Sequence, residues 1–221
     1  MLDVPVEAEL TPLERHTPQS FYRQYVTHRP SDYVCLYNDP KNPLNRHYSF
    51  DRTQGMVGSE DMDFVNVDMG RIKDAAVASV LANEPLWFAV NMTTDQSGEY
   101  GVMEHRLFDY EALFGVDLTV SKADRARYYA GVSEHAMVLM GVDLTDQGAP
   151  RKWLVENSWG DGDGKGKDGF WTIHDPWFDE HVYTIIVHKR HVPDEILATF
   201  RENPTRLPGW YPEAAGISRR D

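Results

Sequence analysis

The stretch "HAMVLMGVDLTDQGAPRKWLVENSWG", His135 to Gly160, decides how this chain is read. Residues 135–145 form an apolar, β-branched run, which reads as a strong strand. "DQGAP" (146–150) is a turn by its Asp, Gly and Pro, and "RKWLVENSW" (151–159) is the next strand. Strands joined by so short a connection pair antiparallel. The start of the first then lies beside the end of the second, which puts His135 beside Asn157, 22 residues away in sequence. Asparagine is depleted in strands, so Asn157 is an odd choice at a strand end. Trp159 must find a partner for its indole N–H or leave it in water.

An imidazole beside a carboxamide has a chemical use. The amide oxygen accepts one ring N–H and fixes tautomer and orientation, and the other nitrogen is left to work on a thiol. An indole over the pair, here Trp159, keeps water from competing. On spacing alone, a histidine at a strand start is more often structural.

Outward from this unit, the second half of the chain continues as strands and the first half is more helical. "DGFWTIHD" (168–175) and "HVYTIIVHK" (181–189) read as two further strands, and "VPDEILATFREN" (192–203) as a short helix. "NVDMGRIKDAAVASVLANEP" (66–85) is the clearest helix, with Met69, Ile72, Ala75, Ala76 and Val80 on one face and Asp68 as cap. "LWFAVNM" (86–92) follows as a strand buried on both faces. "DYEALFG" (109–115) and "SKADRARYYAGVSE" (121–134) read as helices, the second capped by Ser121. Nearer the start, "TPQSFYRQYV" (17–26) is a helix opened by Thr17 and Pro18, "DYVCLYN" (32–38) is a strand, and 39–58 reads as irregular. The fold class is α+β. The expected organisation is an N-terminal connector with a short helix and strand (1–65), a β-rich domain with helices (66–203) and an extended tail (204–221).

Composition narrows the partners. The chain has 221 residues, of which 41% are hydrophobic and 26% charged, enough to bury a core. A net charge of −13 argues against nucleic acid and anionic membrane, since phosphate binding needs clustered Lys and Arg. The single cysteine, Cys35, allows no internal disulfide and fits a reducing compartment. The N-terminus lacks an apolar signal core and no run is long enough to span a membrane, so a cytoplasmic protein is expected.

Two other features carry less chemistry. "GDGDGKGKDG" (160–169) resembles a calcium loop, but Lys165 stands where Asp or Asn is needed and Thr172 where Glu is needed, so a flexible polar connection is expected. His174, His181, His188 and His191 lack helix-spaced pairs or cysteine partners, and His181 and His188 are expected on opposite faces of one strand. Neither a metal nor another cofactor is expected.

"HAMVLMGVD", "KWLVENSWG" and "GFW" closely resemble the second half of papain-like cysteine peptidases, where a His-Ala pair opens one strand and Asn-Ser-Trp-Gly follows in the next. The bleomycin hydrolase / aminopeptidase C branch is more similar still, through "TPQSFYRQYV", "VCLYNDP", "EPLWFAVNM", "DYEALFGVDL", "WFDEHVYTIIVHKRHVP" and "LPGWYP". The resemblance runs from about Thr11 to the C-terminus. It implies the antiparallel, barrel-like half of the papain fold, with His135 as catalytic base, Asn157 as its orienting residue and Trp159 as a shield. It also implies peptide substrates and a ring-like homo-hexamer.

The chain departs from the family at the nucleophile. Papain-like sites place a cysteine at a helix N-terminus, followed by a tryptophan and preceded by a glutamine for the oxyanion hole. Cys35 has none of these neighbours. It lies in a strand-like run 100 residues before His135, and reads as an ordinary buried thiol. The expectation is a His/Asn portion lacking the nucleophilic Cys and oxyanion Gln and inactive alone. It would be an expressed fragment, a truncated gene, an assembly module, or half of a split enzyme needing a Cys-bearing partner. The tail "PEAAGISRRD" raises a further expectation, a terminal carboxylate that pairs with a substrate's α-ammonium.

Overall fold

The computed structural model describes residues 15–26, 28–92 and 94–212. It divides into two compact units, Met1–Asp32 and Tyr33–Asp221. Within the described residues of the first, α1 (Pro18–Tyr25) starts where expected. Thr17 Oγ1 accepts the Ser20 N–H at 3.1 Å and proline occupies the first turn. All of α1 is exposed.

The second unit is one large mixed sheet with flanking helices. In chain order its elements are β1 (Tyr33–Tyr37), β2 (Arg46–Phe50), β3 (Asp63–Asn66), α2 (Met69–Leu81), β4 (Leu86–Val90), β5 (Gln96–Ser97), β6 (Val102–Met103), α3 (Tyr110–Phe114), α4 (Lys122–Arg127), β7 (His135–Leu144), β8 (Pro150–Glu156), β9 (Phe170–His174), α5 (Asp175–His181), β10 (Val182–His188), α6 (Asp194–Thr199) and β11 (Thr205–Leu207). The strand order is β11-β2-β3-β1-β10-β4-β7-β8-β9-β6-β5. β1–β3, β2–β11 and β6–β9 pair parallel, and the other neighbours pair antiparallel. No described helix is long and apolar enough to cross a membrane.

The central strands are buried on both faces, and the period-two alternation shows it. On β1, Val34 and Leu36 join the larger core with α2, β4 and β7, whereas Cys35 and Tyr37 join a second cluster with Tyr48, Phe50, Phe64, Tyr183 and Leu207. α2 covers the larger core with Ile72, Ala75 and Ala76, and Met69 and Val80 pack at its margin. Its start is capped as expected, with Asp68 Oδ1 accepting the Arg71 N–H at 2.9 Å. Its stop is also visible: Asn83 turns left-handed (φ 60°) ahead of Pro85. β4 lies centrally and is buried except for Trp87.

Several sequence expectations need correction. Residues 39–58 are not irregular throughout, because 46–50 form β2, and the 65/66 boundary of the expected connector falls inside β3. β2 carries His47 and Ser49, polar letters that hide a strand. His47 is nevertheless buried, its Nδ1–H donating to Glu202 O at 2.7 Å and its Nε2 2.9 Å from Asp63. The helix expected over 121–134 ends at Arg127, since Tyr129 adopts φ 57° and Gly131 follows. Helix α5 was not expected. Pro176 sits in its first turn, so His181 ends a helix and does not share β10 with His188.

The glycine stretch is largely exposed but is held at Gly164 and Gly166. The Gly166 N–H donates to Gly98 O at 2.9 Å, and a Cβ on Gly98 would lie 1.9 Å from Gly164 O. The loop thus seats against the β5–β6 hairpin at a distance only glycine allows.

Leu139 on β7 is 0% exposed and Leu154 on β8 is 45% exposed, so one substitution at two neighbouring sites tests the register. Leu139→Ala should cost roughly 2–5 kcal/mol in urea unfolding, and Leu154→Ala about 1 kcal/mol or less. Equal costs would contradict the β7–β8 pairing.

Candidate functional site

Two adjacent strands build the site. β7 pairs with β4 so that His135 lies opposite Val90, and β7 pairs with β8 so that Val138 lies opposite Glu156. Carried one residue past that last pair, the β8 register sets Asn157 across from Met137, diagonal to His135 on the same face. The start of β7 is pinned as well. The Glu134 N–H donates to Val90 O at 3.0 Å, and its carboxylate accepts from Asn91 Nδ2 at 3.4 Å and from the Met92 N–H at 3.3 Å. Asn157 is held from the other side, its N–H donating to Gly169 O at 3.0 Å. Gly169 closes the glycine loop with φ 83°, a conformation that excludes most side chains.

The structure brings His135 and Asn157 into hydrogen-bond contact, with 2.8 Å between His135 Nε2 and Asn157 Oδ1. The same oxygen accepts the Ser158 backbone N–H at 2.8 Å. A backbone N–H can only donate, so it fixes which end of the amide faces the ring. Nε2 must then carry a proton, and in the neutral ring Nδ1 keeps its lone pair. Asn157 is only 6% exposed, which protects the bond from water. The Trp159 and His135 rings lie 4.9 Å apart with their planes tilted by 37°, and Trp171 meets Trp159 edge-on at 5.7 Å. Trp159 remains 39% exposed, so the indole lies against the imidazole and still reaches solvent. All three residues singled out in the sequence therefore converge. Of the other histidines, His174 pairs with Glu104 at 2.6 Å and His191 with Glu84 at 2.7 Å, and the His188 and His191 rings meet edge-on at 6.4 Å.

Cys35 is elsewhere. Register places it in one row with Ile186, Trp87 and Val138, three strands from β7. At roughly 4.8 Å per strand that is about 14 Å from the row's β7 member, with His135 farther along the strand. The thiol is 8% exposed and lies 3.1 Å from Thr184 Oγ1. That hydroxyl spends its own proton on Leu36 O at 3.0 Å, so the thiol is the donor. Burial pushes the Cys35 pKa up to about 12. The thiolate, the reactive form, is suppressed.

The chain matches the peptidase C1-like family over residues 7–214. It belongs to the peptidase C1-like family. It is 35% identical over 205 residues to aminopeptidase C of Streptococcus thermophilus, a match covering 92% of this chain and 46% of that protein. It is 34% identical over 206 residues to bleomycin hydrolase of Homo sapiens, covering 90% and 45%. The crystal structure of PepW from Lactobacillus rhamnosis HN001 superposes with a TM-score of 0.84 at 34% identity, covering 89% of this chain and 45% of that one. The chain thus spans less than half the length of these peptidase C1-like relatives.

The thiol's environment has a measurable consequence. Native Cys35 should resist iodoacetamide at pH 8, where a group of pKa about 12 is thiolate in roughly one part in 10⁴, and should react fully in urea. The folded state also holds this proton more tightly than the unfolded state. The stability it contributes is therefore full below 9.0 and is lost as pH rises toward about 12. Fast native alkylation read by mass spectrometry would contradict the buried placement.

Proposed function

We propose that this chain is the His/Asn-bearing part of a cysteine-type aminopeptidase of the aminopeptidase C / bleomycin hydrolase kind. The observation that carries the reading is the His135–Asn157 hydrogen bond at 2.8 Å, with Nδ1 left as acceptor beneath Trp159. In the proposed reaction Nδ1 takes the proton of a nucleophilic thiol, and the thiolate attacks the carbonyl of the substrate's N-terminal peptide bond. The imidazolium then gives its proton to the leaving amine, and water hydrolyses the thioester. Asn157 holds the ring orientation through both transfers, as in other Cys-His-Asn sites.

The nucleophile and its oxyanion partner are proposed to come from outside this chain, because Cys35 lies three strands away with its thiolate suppressed. On this reading the isolated chain is inactive. The mixed sheet is proposed as the barrel-like half of the fold. Breaks in register between Leu139 and Gly141 on β7, and between Val182 and Thr184 on β10, supply the bending such a sheet needs. A reducing, cytoplasmic setting is proposed from the single, buried thiol.

One observation favours association beyond the single chain. Phe108, Tyr110, Leu113, Phe114, Leu118 and Tyr128 are all exposed within one short segment. A run of this kind favours association, with a partner or with further copies in a ring.

Fluorogenic aminoacyl amides, offered to the purified chain and to Cys35→Ser under reducing conditions, test the reading. Neither protein should turn them over. Turnover by the chain that is lost in the variant would make Cys35 the nucleophile and end the proposal.

A further inference from the structure

We infer that Asp95, His105 and His181 form a binding site for a first-row divalent cation, Zn²⁺ by donor type, that ties the β5–β6 hairpin to the end of α5. The inference is independent of the peptidase reading. One donor atom from each of the three residues lies within 4.8 Å of the other two.

The fold explains why residues so distant in sequence meet. Asp95 and Glu104 face each other at the open end of the β5–β6 hairpin, where the Glu104 N–H donates to Asp95 O at 3.2 Å. His105 follows directly. His181 arrives from below as the last residue of α5, joined to the end of β4 by the Asn91 N–H donating to His181 O at 2.9 Å.

Each side chain is prepared for a cation. The buried His181 ring has Nδ1 3.2 Å from Asn91 O. A carbonyl only accepts, so Nδ1 carries the proton and Nε2 keeps a lone pair. A ligating histidine commonly has its second nitrogen anchored in this way. Trp177 stacks on the ring at 4.4 Å and fixes its plane. His105 has a buried Nδ1 with no hydrogen-bond partner, a state that calls for an explanation. Asp95 adds the negative charge.

Two imidazoles and one carboxylate make a borderline-soft, three-ligand set. Such a set suits Zn²⁺ with a fourth position open, and does not suit Ca²⁺ or Mg²⁺, which prefer all-oxygen shells. Metal–ligand bonds of roughly 2.0–2.2 Å require the donors to draw in from their present spacing. Asp95 and His105 are half-buried, while His181 is held by Asn91 O. Asp95 and His105 both line a cavity of about 400 Å³, which gives a cation a way in. The nearby cations are already committed. Arg125 bonds Glu180 at 3.1 Å and the Val120 and Glu180 carbonyls, and Arg106 pairs with Glu111 at 2.6 Å.

The test is Zn²⁺ titration of the chelator-treated chain against a competing zinc dye, with thermal unfolding alongside. The expected result is one equivalent bound and a raised Tm. Asp95→Asn and His105→Ala should each weaken binding by about tenfold or more, while His174→Ala, at a surface pair with Glu104, should bind as the parent does. No stoichiometric binding, or binding unaffected by both Asp95→Asn and His105→Ala, would overturn the inference.

Discussion

The β7–β8 pairing is the constraint on which core and candidate site both depend. One register buries Leu139, Trp153 and Val155 and carries Asn157 to His135. A slip of one residue would turn every side chain of β8 to the opposite face. It would expose Trp153, whose indole N–H reaches Asp175 at 3.2 Å, and would aim Asn157 away from the ring. Apolar burial therefore enforces the geometry of a polar pair that could not enforce it alone. A single hydrogen bond of this type contributes on the order of 1 kcal/mol, less than one buried leucine.

The glycine loop takes part in this arrangement. It begins just past Trp159, packs on the β5–β6 hairpin through Gly98, and returns through Gly169 to hold the Asn157 backbone. Glycine content that resembles a metal loop in sequence is here a matter of close backbone approach. The hairpin it rests on also carries Asp95 and His105 at its base, so one small element supports the loop beside His135 and supplies two of three proposed cation ligands. Asn91, next to the β-bridge partner of His135, anchors both Glu134 and His181.

What could be read from the sequence follows from how local each signal is. His135, Asn157 and Trp159 were legible because a short turn and two strong strands fix their relation within about one hairpin. The caps at Thr17, Asp68 and Ser121 were legible for the same reason. β2 was not, since the polar His47 and Ser49 are both buried in it, His47 by Glu202 and Asp63, each more than ten residues away in sequence. α5 escaped because a seven-residue helix between two strands spans barely two turns, too few for a clear periodicity, and with it went the position of His181. His105 gave no signal at all. Its neighbours in the cluster lie ten residues before it and seventy-six after, brought together only by the sheet.

The central claim is that Asn157 holds His135 with the proton on Nε2 and the lone pair on Nδ1. Long-range ¹H–¹⁵N spectra of the labelled chain measure this directly. The structure predicts a His135 Nε2–H resonance protected from solvent exchange, with Nδ1 shifted as an unprotonated nitrogen, and loss of that protection in Asn157→Ala. A proton on Nδ1, or an Nε2–H signal indifferent to Asn157→Ala, would contradict the account.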